Sequence, residues 1–235
     1  MTNRFVAYAG AVLLLQGLAG CSDEKKPGNE TTGPVTAASE PVNGAAEIAD
    51  RKLVVAFGDS LYAGYGVLPQ ESFPARLEKA LAARGVAATV RNAGVSGDTT
   101  SAGLRRLAFT LDGLDRTPDL VMVNLGGNDM LRGIDPAETR ANLTAICAEL
   151  QRRGIPILLT GMVAAPNMGR DYAEPFNAIY ADLAKRYDAA LYPFFLDGVV
   201  TNRALMLPDG VHPNPQGIEA IVEKVTPIVA GALEP

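Results

Sequence analysis

From Lys52 onward, apolar residues follow two alternating patterns along the chain. Short continuous apolar runs, typical of strands buried on both faces of a sheet, occur at 53–57, 88–90, 120–125, 155–159 and 190–194. Segments with apolar residues three and four positions apart, the spacing of one helix face, lie at 73–81, 104–111, 136–153, 172–187 and 218–225. Strands that alternate with helices predict an α/β fold, with a parallel sheet covered by helices on both faces. Pro175 is unfavourable inside the fourth helical segment, because proline lacks an N–H group.

Residues 1–51 lack this alternation. Arg4 precedes an uncharged apolar run, 5–20, that is shorter than the about 20 residues a membrane span needs. A charged start, an apolar middle and small residues at the end predict a secretory signal peptide at 1–20, with a short membrane anchor as the alternative. Residues 21–51 almost lack large apolar side chains and predict a flexible linker, which leaves 52–235 as the folded domain.

Composition narrows the classes of function. Hydrophobic residues make up 48% of the 235 residues, which suffices for a packed core. The 21 basic and 26 acidic residues give a net charge of −5 without a basic cluster, so a nucleic-acid partner is not expected. One histidine and two cysteines exclude most zinc sites and a disulfide framework. We expect no metal, no cofactor and no required protein partner.

Cys147 is predicted to be a core residue. It shares one helix face with Leu143, Ile146 and Leu150, at the spacing of successive turns. A catalytic cysteine is the alternative, but it would need a histidine of its own to activate it. The only histidine, His212, is employed elsewhere in the interpretation that follows.

Polar and glycine-rich blocks follow three of the predicted strands, at 58–61, 92–98 and 126–129, and a fourth block at 209–213 precedes the last helix. In open α/β sheets, ligands bind beyond the carboxyl ends of the strands, so the first three blocks are expected to meet at one edge. Each block alone is typical of turns and helix caps. Their coincidence at one edge favours a catalytic site.

Together the blocks supply the parts that acyl transfer needs. Ser60 is the candidate nucleophile, His212 the candidate base and Asp209 the carboxylate that orients the imidazole. The backbone N–H groups of Ser60 and Gly94 and the side-chain amide of Asn128 are predicted to form the oxyanion hole.

These blocks resemble the SGNH, or GDSL-type, hydrolase family, on Ser60, Gly94, Asn128 and His212, with Asp209 completing the triad. The resemblance spans about Lys52 to Leu233 and makes 52–235 the hydrolase domain. It is strongest to the multifunctional acyl-CoA thioesterase I, lysophospholipase and arylesterase group, in the stretches 92–99, 125–133 and 192–195. The resemblance implies a three-layer α/β/α flavodoxin-like sandwich, with a five-stranded parallel sheet in the order 2-1-3-4-5 and a shallow, open site.

The G-x-S-x-G elbow of α/β-hydrolases is absent. The stretch Gly94-Val95-Ser96-Gly97 does not fit that pattern. Ser96 is therefore interpreted as a turn hydroxyl and not as a rival nucleophile.

The expected activity is hydrolysis of carboxylic esters and thioesters through an acyl-enzyme, with aryl esters, acyl-CoA and lysophospholipids as small-molecule substrates. Apolar residues after the fourth strand, which suit an acyl-chain wall, are candidates for substrate binding: Met162, Val163, Pro166 and Met168. Ordinary loop packing is the alternative for them. Tyr62 and Tyr65 follow the nucleophile and are candidates for stacking on an aryl ester. Two other functions stay open, a carbohydrate O-acetyl esterase and a non-catalytic surface-binding lipoprotein.

The stretch Leu18-Ala19-Gly20-Cys21 resembles a bacterial lipobox. The resemblance implies that cleavage leaves Cys21 as a lipid-bearing N-terminus, which anchors an exported protein to a membrane. Ser22 in place of Asp resembles the sorting signal of outer-membrane lipoproteins. The expected location is the periplasmic face of the outer membrane, with the outer face of the cell membrane as the alternative.

Overall fold

Five short parallel strands form the sheet of this protein, for which the computed structural model describes residues 51–234. They are β1 (Lys52–Gly58), β2 (Ala88–Gly94), β3 (Leu120–Asn124), β4 (Ile157–Thr160) and β5 (Ala190–Tyr192). Their order is β2-β1-β3-β4-β5, and every neighbouring pair is parallel. This confirms the predicted order. The predictions for the signal peptide, for Cys21 and for the linker up to residue 50 lie outside the described residues.

Helices flank the strands. They are α1 (Ser60–Ala63), α2 (Phe73–Ala83), α3 (Thr100–Asp112), α4 (Gly127–Leu131), α5 (Pro136–Arg152), α6 (Arg170–Asn177), α7 (Ile179–Tyr187) and α8 (Pro215–Leu233). Short 3₁₀ turns occur at Pro69–Glu71, Pro166–Met168 and Arg203–Leu205. α2 packs against α8, whereas α5 packs against α3, α6 and α7. Because the central strand residues from Val54 to Phe57 are fully buried, helices cover both faces of the sheet and the fold has three layers.

Three details differ from the sequence prediction. β2 continues to Gly94, four residues beyond its apolar run, since an edge strand with one partner tolerates polar residues. The helix predicted at 172–187 is two helices that meet at Ala178, and Pro175 lies inside the first of them. Arg51, assigned to the linker, contacts the domain, where it donates to Ala88 O at 2.5 Å and pairs with Glu78.

The core fixes the first turn after β1. The ring of Tyr62 stacks on Phe73 at 5.0 Å between centroids and meets Phe195 edge-on at 5.5 Å. Its hydroxyl lies 2.8 Å from Thr160 Oγ1 at the end of β4. Tyr62 is therefore an anchor for α1, and its predicted role in stacking on a substrate is wrong because its ring is fully buried.

Cys147 is fully buried on α5 and unpaired, which confirms its assignment to the core. Burial raises the pKa of its thiol to about 12. Within residues 51–234, no helix combines the length and apolar character that crossing a membrane would require.

Candidate active site

Ser60 is the first residue of α1, directly beyond the carboxyl end of β1. The preceding Asp59 caps the helix, because its Oδ1 accepts a hydrogen bond from Leu61 N–H at 3.0 Å. Gly58 is required in the approach to this turn, since a Cβ there would lie 2.7 Å from Asn124 O on β3. Sheet, cap and buried Tyr62 together hold the Ser60 hydroxyl at the edge of the sheet.

Asp209 and His212 share one short loop before α8. The loop is closed by a bridge between Met206 and Pro213 and by a hydrogen bond from Leu207 N–H to His212 O at 2.8 Å. Within it, Asp209 Oδ1 accepts from the N–H groups of Val211 and His212, at 2.9 and 3.0 Å. The carboxylate is thus fixed by its own loop before it meets the imidazole.

The structure brings the three predicted triad residues together. His212 Nε2 lies 2.8 Å from Ser60 Oγ, and His212 Nδ1 lies 2.7 Å from Asp209 Oδ2. Burial alone would raise the pKa of Asp209, but the hydrogen bonds from its loop and from the imidazole outweigh it and lower the pKa to about 2. The carboxylate therefore stays ionised at neutral pH and can hold an N–H on Nδ1, which leaves Nε2 free to accept a proton.

Tyr65 covers the imidazole. Its ring centroid lies 4.3 Å from that of His212, with 32° between the planes, and 53% of the residue is exposed. Tyr65 also lines the cavity beside Ser60, as its candidate role in stacking requires.

Asn128 enters the site from the start of α4, after β3. Its Nδ2 donates to Asp98 O at 3.0 Å and makes a longer contact of 3.3 Å with Asp59 Oδ2. Asn128 lines the cavity next to Ser60. Its amide is therefore positioned to donate to an oxygen bound there.

Gly94 does not take the place predicted for it. It ends β2, and its N–H donates to Asn92 Oδ1 at 2.9 Å, away from the cavity. Its absent Cβ makes room for α1, since a Cβ would lie 2.3 Å from Ala63 N. The prediction that Gly94 N–H belongs to the oxyanion hole is wrong, because that N–H already has an acceptor.

Gly97 lies in the turn after β2 and lines the cavity beside Ser60, whereas Gly94 does not. The segment 95–98 is a turn closed by a hydrogen bond from Asp98 N–H to Val95 O at 3.2 Å, and Gly97 has the positive φ of +85° that a type II turn requires at its third residue. Gly97 and Ser96 line the cavity, and Gly97 O accepts from Arg132 Nη2 at 2.8 Å. Among residues 51–234, the N–H groups of Gly97 and Ser60 have no protein acceptor.

Asp59 is a second carboxyl group beside the nucleophile, and only 2% of it is exposed. Burial raises its pKa to about 7, and the nearby carboxylates of Asp98 and Asp129 act in the same direction. Hydrogen bonds from Leu61 and Asn128 oppose the rise. The sequence pattern assigns Asp59 no role, because the burial of this carboxyl cannot be seen in the pattern.

A cavity of about 410 Å³ opens beside Ser60 and His212. Its apolar walls come from segments far apart in sequence: Leu61, Met130, Leu131, Met162, Ala165, Leu196, Val200 and Val211. Of the four residues predicted to form an acyl-chain wall, only Met162 belongs to it. Val163 and Pro166 are exposed, and Met168 packs against the core from the 3₁₀ turn after β4. In residues 51–234, no three His, Cys, Asp or Glu side chains gather as metal ligands do.

The chain is similar to known lipases, esterases and thioesterases. The model of the GDSL-like Lipase/Acylhydrolase family matches residues 56–220. An arylesterase of Vibrio mimicus is 41% identical over 181 residues, which cover 77% of this chain and 89% of that protein. Thioesterase 1/protease 1/lysophospholipase L1 of Escherichia coli K12 is 40% identical over 169 residues, covering 72% and 78%. The crystal structure of AlinE4, an SGNH-hydrolase family esterase, is similar with a TM-score of 0.67 and 52% identity over 79% of this chain and 98% of that one.

Proposed function

The chain belongs to the GDSL-like lipase/acylhydrolase family, and on that premise we propose that it is a serine esterase in which Ser60, His212 and Asp209 form the catalytic triad. Its relatives are named for ester and thioester hydrolysis, and this chain hydrolyses ester bonds. The observation that carries the proposed triad is the unbroken chain of hydrogen bonds Ser60–His212–Asp209, at 2.8 and 2.7 Å, on the rim of an apolar cavity.

The proposed reaction begins when Ser60 Oγ attacks the carbonyl carbon of the ester and its proton passes to His212 Nε2. Asp209 stabilises the imidazolium that forms. As the tetrahedral intermediate collapses, His212 returns the proton to the departing alcohol or thiol, and an acyl group remains on Ser60. Water, deprotonated by the same imidazole, then attacks the acyl-enzyme and releases the acid.

The negative charge on the carbonyl oxygen needs donors that are in place before the reaction. We assign this role to the N–H groups of Ser60 and Gly97 and to the Asn128 amide. The two N–H groups have no acceptor within residues 51–234. The contact from Asn128 Nδ2 to Asp59 is long at 3.3 Å, so this proton is the one available to a substrate oxygen.

The shape and lining of the cavity favour an acyl chain over a sugar. Its walls carry Met130, Leu131, Met162, Leu196 and Val200, and methionine adapts to flexible apolar ligands. We therefore propose carboxylic esters and thioesters with an extended acyl chain as substrates, among them acyl-CoA and lysophospholipids. Tyr65, at the mouth, offers a face for an aryl leaving group.

Hydrolysis of p-nitrophenyl esters from acetate to palmitate by the purified full-length chain tests this proposal. We expect a preference for medium or long acyl chains and a loss of at least about a thousandfold in kcat for Ser60→Ala. Ser101→Ala is the matched control, because Ser101 lies on α3 and accepts only from Arg105. Hydrolysis that persists in Ser60→Ala would refute the proposed nucleophile. Activity on acetate alone would favour an O-acetyl esterase.

We also propose that lipid on Cys21 anchors the exported enzyme, facing the periplasm at the outer membrane. The support is the sequence Leu18-Ala19-Gly20-Cys21-Ser22 after an apolar run. A single residue bearing several acyl chains gives the stable attachment that one chain does not. The predicted linker at 22–50 would let the domain meet membrane-borne esters.

A further inference from the structure

Arg106 is a partly buried arginine on α3 that the proposed mechanism does not use. Its Nε donates to Asp98 Oδ2 at 2.6 Å, and its Nη2 donates to Gly58 O at 2.8 Å. The guanidinium also lies over the Phe57 ring, 4.1 Å from its centroid. One side chain thus joins β1, the turn after β2 and α3.

The two acceptors belong to segments that the reaction needs in fixed relation. Gly58 directly precedes Asp59 and Ser60, so its carbonyl moves with the turn that bears the nucleophile. It also accepts from Val95 N–H at 2.9 Å, at the start of the turn at 95–98. Arg106 therefore holds the same carbonyl that already ties the two turns together.

Asp98, the other acceptor of Arg106, is linked to the two remaining proposed oxyanion donors, Gly97 N–H and Asn128 Nδ2. Its N–H closes the turn on Val95 O at 3.2 Å, which fixes the Ser96–Gly97 peptide between them and with it the Gly97 N–H. Its carbonyl oxygen accepts from Asn128 Nδ2 at 3.0 Å. A shift of Asp98 would therefore move both Gly97 N–H and Asn128 Nδ2.

We propose that Arg106 is a positioning residue that fixes the oxyanion donors relative to Ser60. This inference rests on the proposed function and concerns the same site. Arg106 touches no reacting atom; it acts through Asp98 and Gly58. The planar guanidinium presents Nε and Nη2 to the two acceptors in a fixed geometry, whereas a lysine ammonium is a compact charge whose three donors are not held in that geometry.

The expected size of the effect follows from how oxyanion holes work. Donors stabilise the transition state only within about 2.7–3.1 Å of the oxyanion, and loss of one donor costs about 10²–10³ in rate. Loosened donors should cost less than absent ones. Because the side chains of Arg106 and Asp98 are only 20% and 12% exposed, water screens this pair less than it screens a surface ion pair.

The test compares Arg106→Gln, Arg106→Lys and the control Arg105→Gln in the purified full-length protein with p-nitrophenyl butyrate. Arg105 is the adjacent residue of the same helix, is exposed and contacts the Ser101 hydroxyl. For Arg106→Gln we expect kcat to fall about 10- to 100-fold with KM within about twofold, because the lost interaction is made in the transition state. Arg106→Lys should recover part of the loss, and Arg105→Gln should match the wild type.

A butylboronic acid gives a second readout, since its anionic tetrahedral adduct with Ser60 mimics the transition state. Its inhibition constant should rise in Arg106→Gln by the same factor as kcat falls, which a purely structural role would not produce. Asp98→Asn should reproduce the defect. The kcat of the double variant should lie within about twofold of that of the less active single variant, because both changes remove the same interaction.

The outcomes separate this inference from the proposed function. If kcat and the boronate constant of Arg106→Gln stay within about twofold of the wild type while Ser60→Ala is inactive, the role of Arg106 is overturned and the triad stands. Hydrolysis that persists in Ser60→Ala would remove the proposed function itself. If Arg106→Gln does not fold, Arg106→Lys and Asp98→Asn decide by the same readouts, and wild-type values in both would overturn the inference.

Discussion

At the scale of single residues, two carboxyl groups on either side of Ser60 have opposite tendencies. Asp209 accepts three hydrogen bonds and has its pKa lowered to about 2, whereas burial raises the pKa of Asp59 to about 7. The first must stay charged to stabilise an imidazolium. The second caps α1 and contacts Asn128. Because it is buried, its ionised form lowers the stability of the folded protein.

The raised pKa of Asp59 predicts a stability that depends on pH. A group whose pKa is 3.8 in the unfolded chain and about 7 in the folded one holds its proton more tightly when folded. The folded state therefore binds more protons between about pH 4 and 7, and this group's contribution of at most about 4 kcal/mol is lost as pH rises through that window.

Asp59→Asn removes this dependence and keeps an acceptor for Leu61 N–H. The free energy of unfolding of the variant, minus that of the wild type, should increase from pH 4 to pH 8, as measured by urea denaturation. Subtraction cancels the opposite trend of Asp209, which loses its stabilising charge only in stronger acid. The exposed Asp115→Asn controls for the loss of one charge. A difference that is constant with pH would show that Asp59 is ionised throughout.

At the scale of elements, the turn at 95–98 should be more sensitive in activity than in stability. Gly97→Ala has open space for its Cβ, with Arg132 Nη2 nearest at 3.8 Å, but the φ of +85° costs an alanine about 1–2 kcal/mol. Relaxation of this strain would turn the N–H from the cavity, so we expect kcat to fall at least about tenfold.

Gly85→Ala is the matched control for this prediction. Gly85 has a similar φ of +78° and no atom within 4 Å of its Cβ position, but it lies in the turn after α2, far in sequence from the site. Thermal unfolding should report a similar loss of stability in both variants, and kcat should fall only in Gly97→Ala. Equal kcat values would remove Gly97 from the oxyanion hole.

The same turn shows where prediction from sequence fails. Two glycines follow the apolar run of β2, and either could have offered its N–H. The choice depends on two facts: β2 continues to Gly94, and Asn92 Oδ1 accepts the Gly94 N–H. The periodicity of apolar residues predicts neither. By contrast, the buried strands were readily predicted because each is a continuous apolar run.

Short elements and composite surfaces escaped prediction for a similar reason. α1 and α4 have four and five residues, too few for a helical period to repeat, yet they carry Ser60 and Asn128. The cavity wall combines residues from α1, α4 and three loops, so only Met162 could be expected from a local apolar stretch. The residues of the proposed triad could be selected from the sequence because each type is rare or chemically distinctive in its block.

At the scale of the whole molecule, the two cysteines are predicted to differ in lipidation. Cys147 is fully buried and its thiol has a raised pKa, so it offers neither access nor a thiolate. In cells given labelled palmitate, the wild type and Cys147→Ala should both carry the label in the membrane fraction, whereas Cys21→Ala should carry none. Undiminished labelling of Cys21→Ala would refute the anchor.

The single imidazole of the chain has a further consequence for spectroscopy. His212 is the only histidine, both of its ring nitrogens are hydrogen-bonded within the site, and Tyr65 lies against its face. In protein prepared without a histidine tag, the imidazole ring C–H resonances in an NMR spectrum therefore belong to His212, the proposed base, without any assignment experiment. The ring current of Tyr65 makes the chemical shifts of those resonances sensitive to any ligand that enters between the tyrosine and the imidazole. Substrate binding, protonation of the imidazole and acylation of the adjacent Ser60 can therefore each be followed through His212.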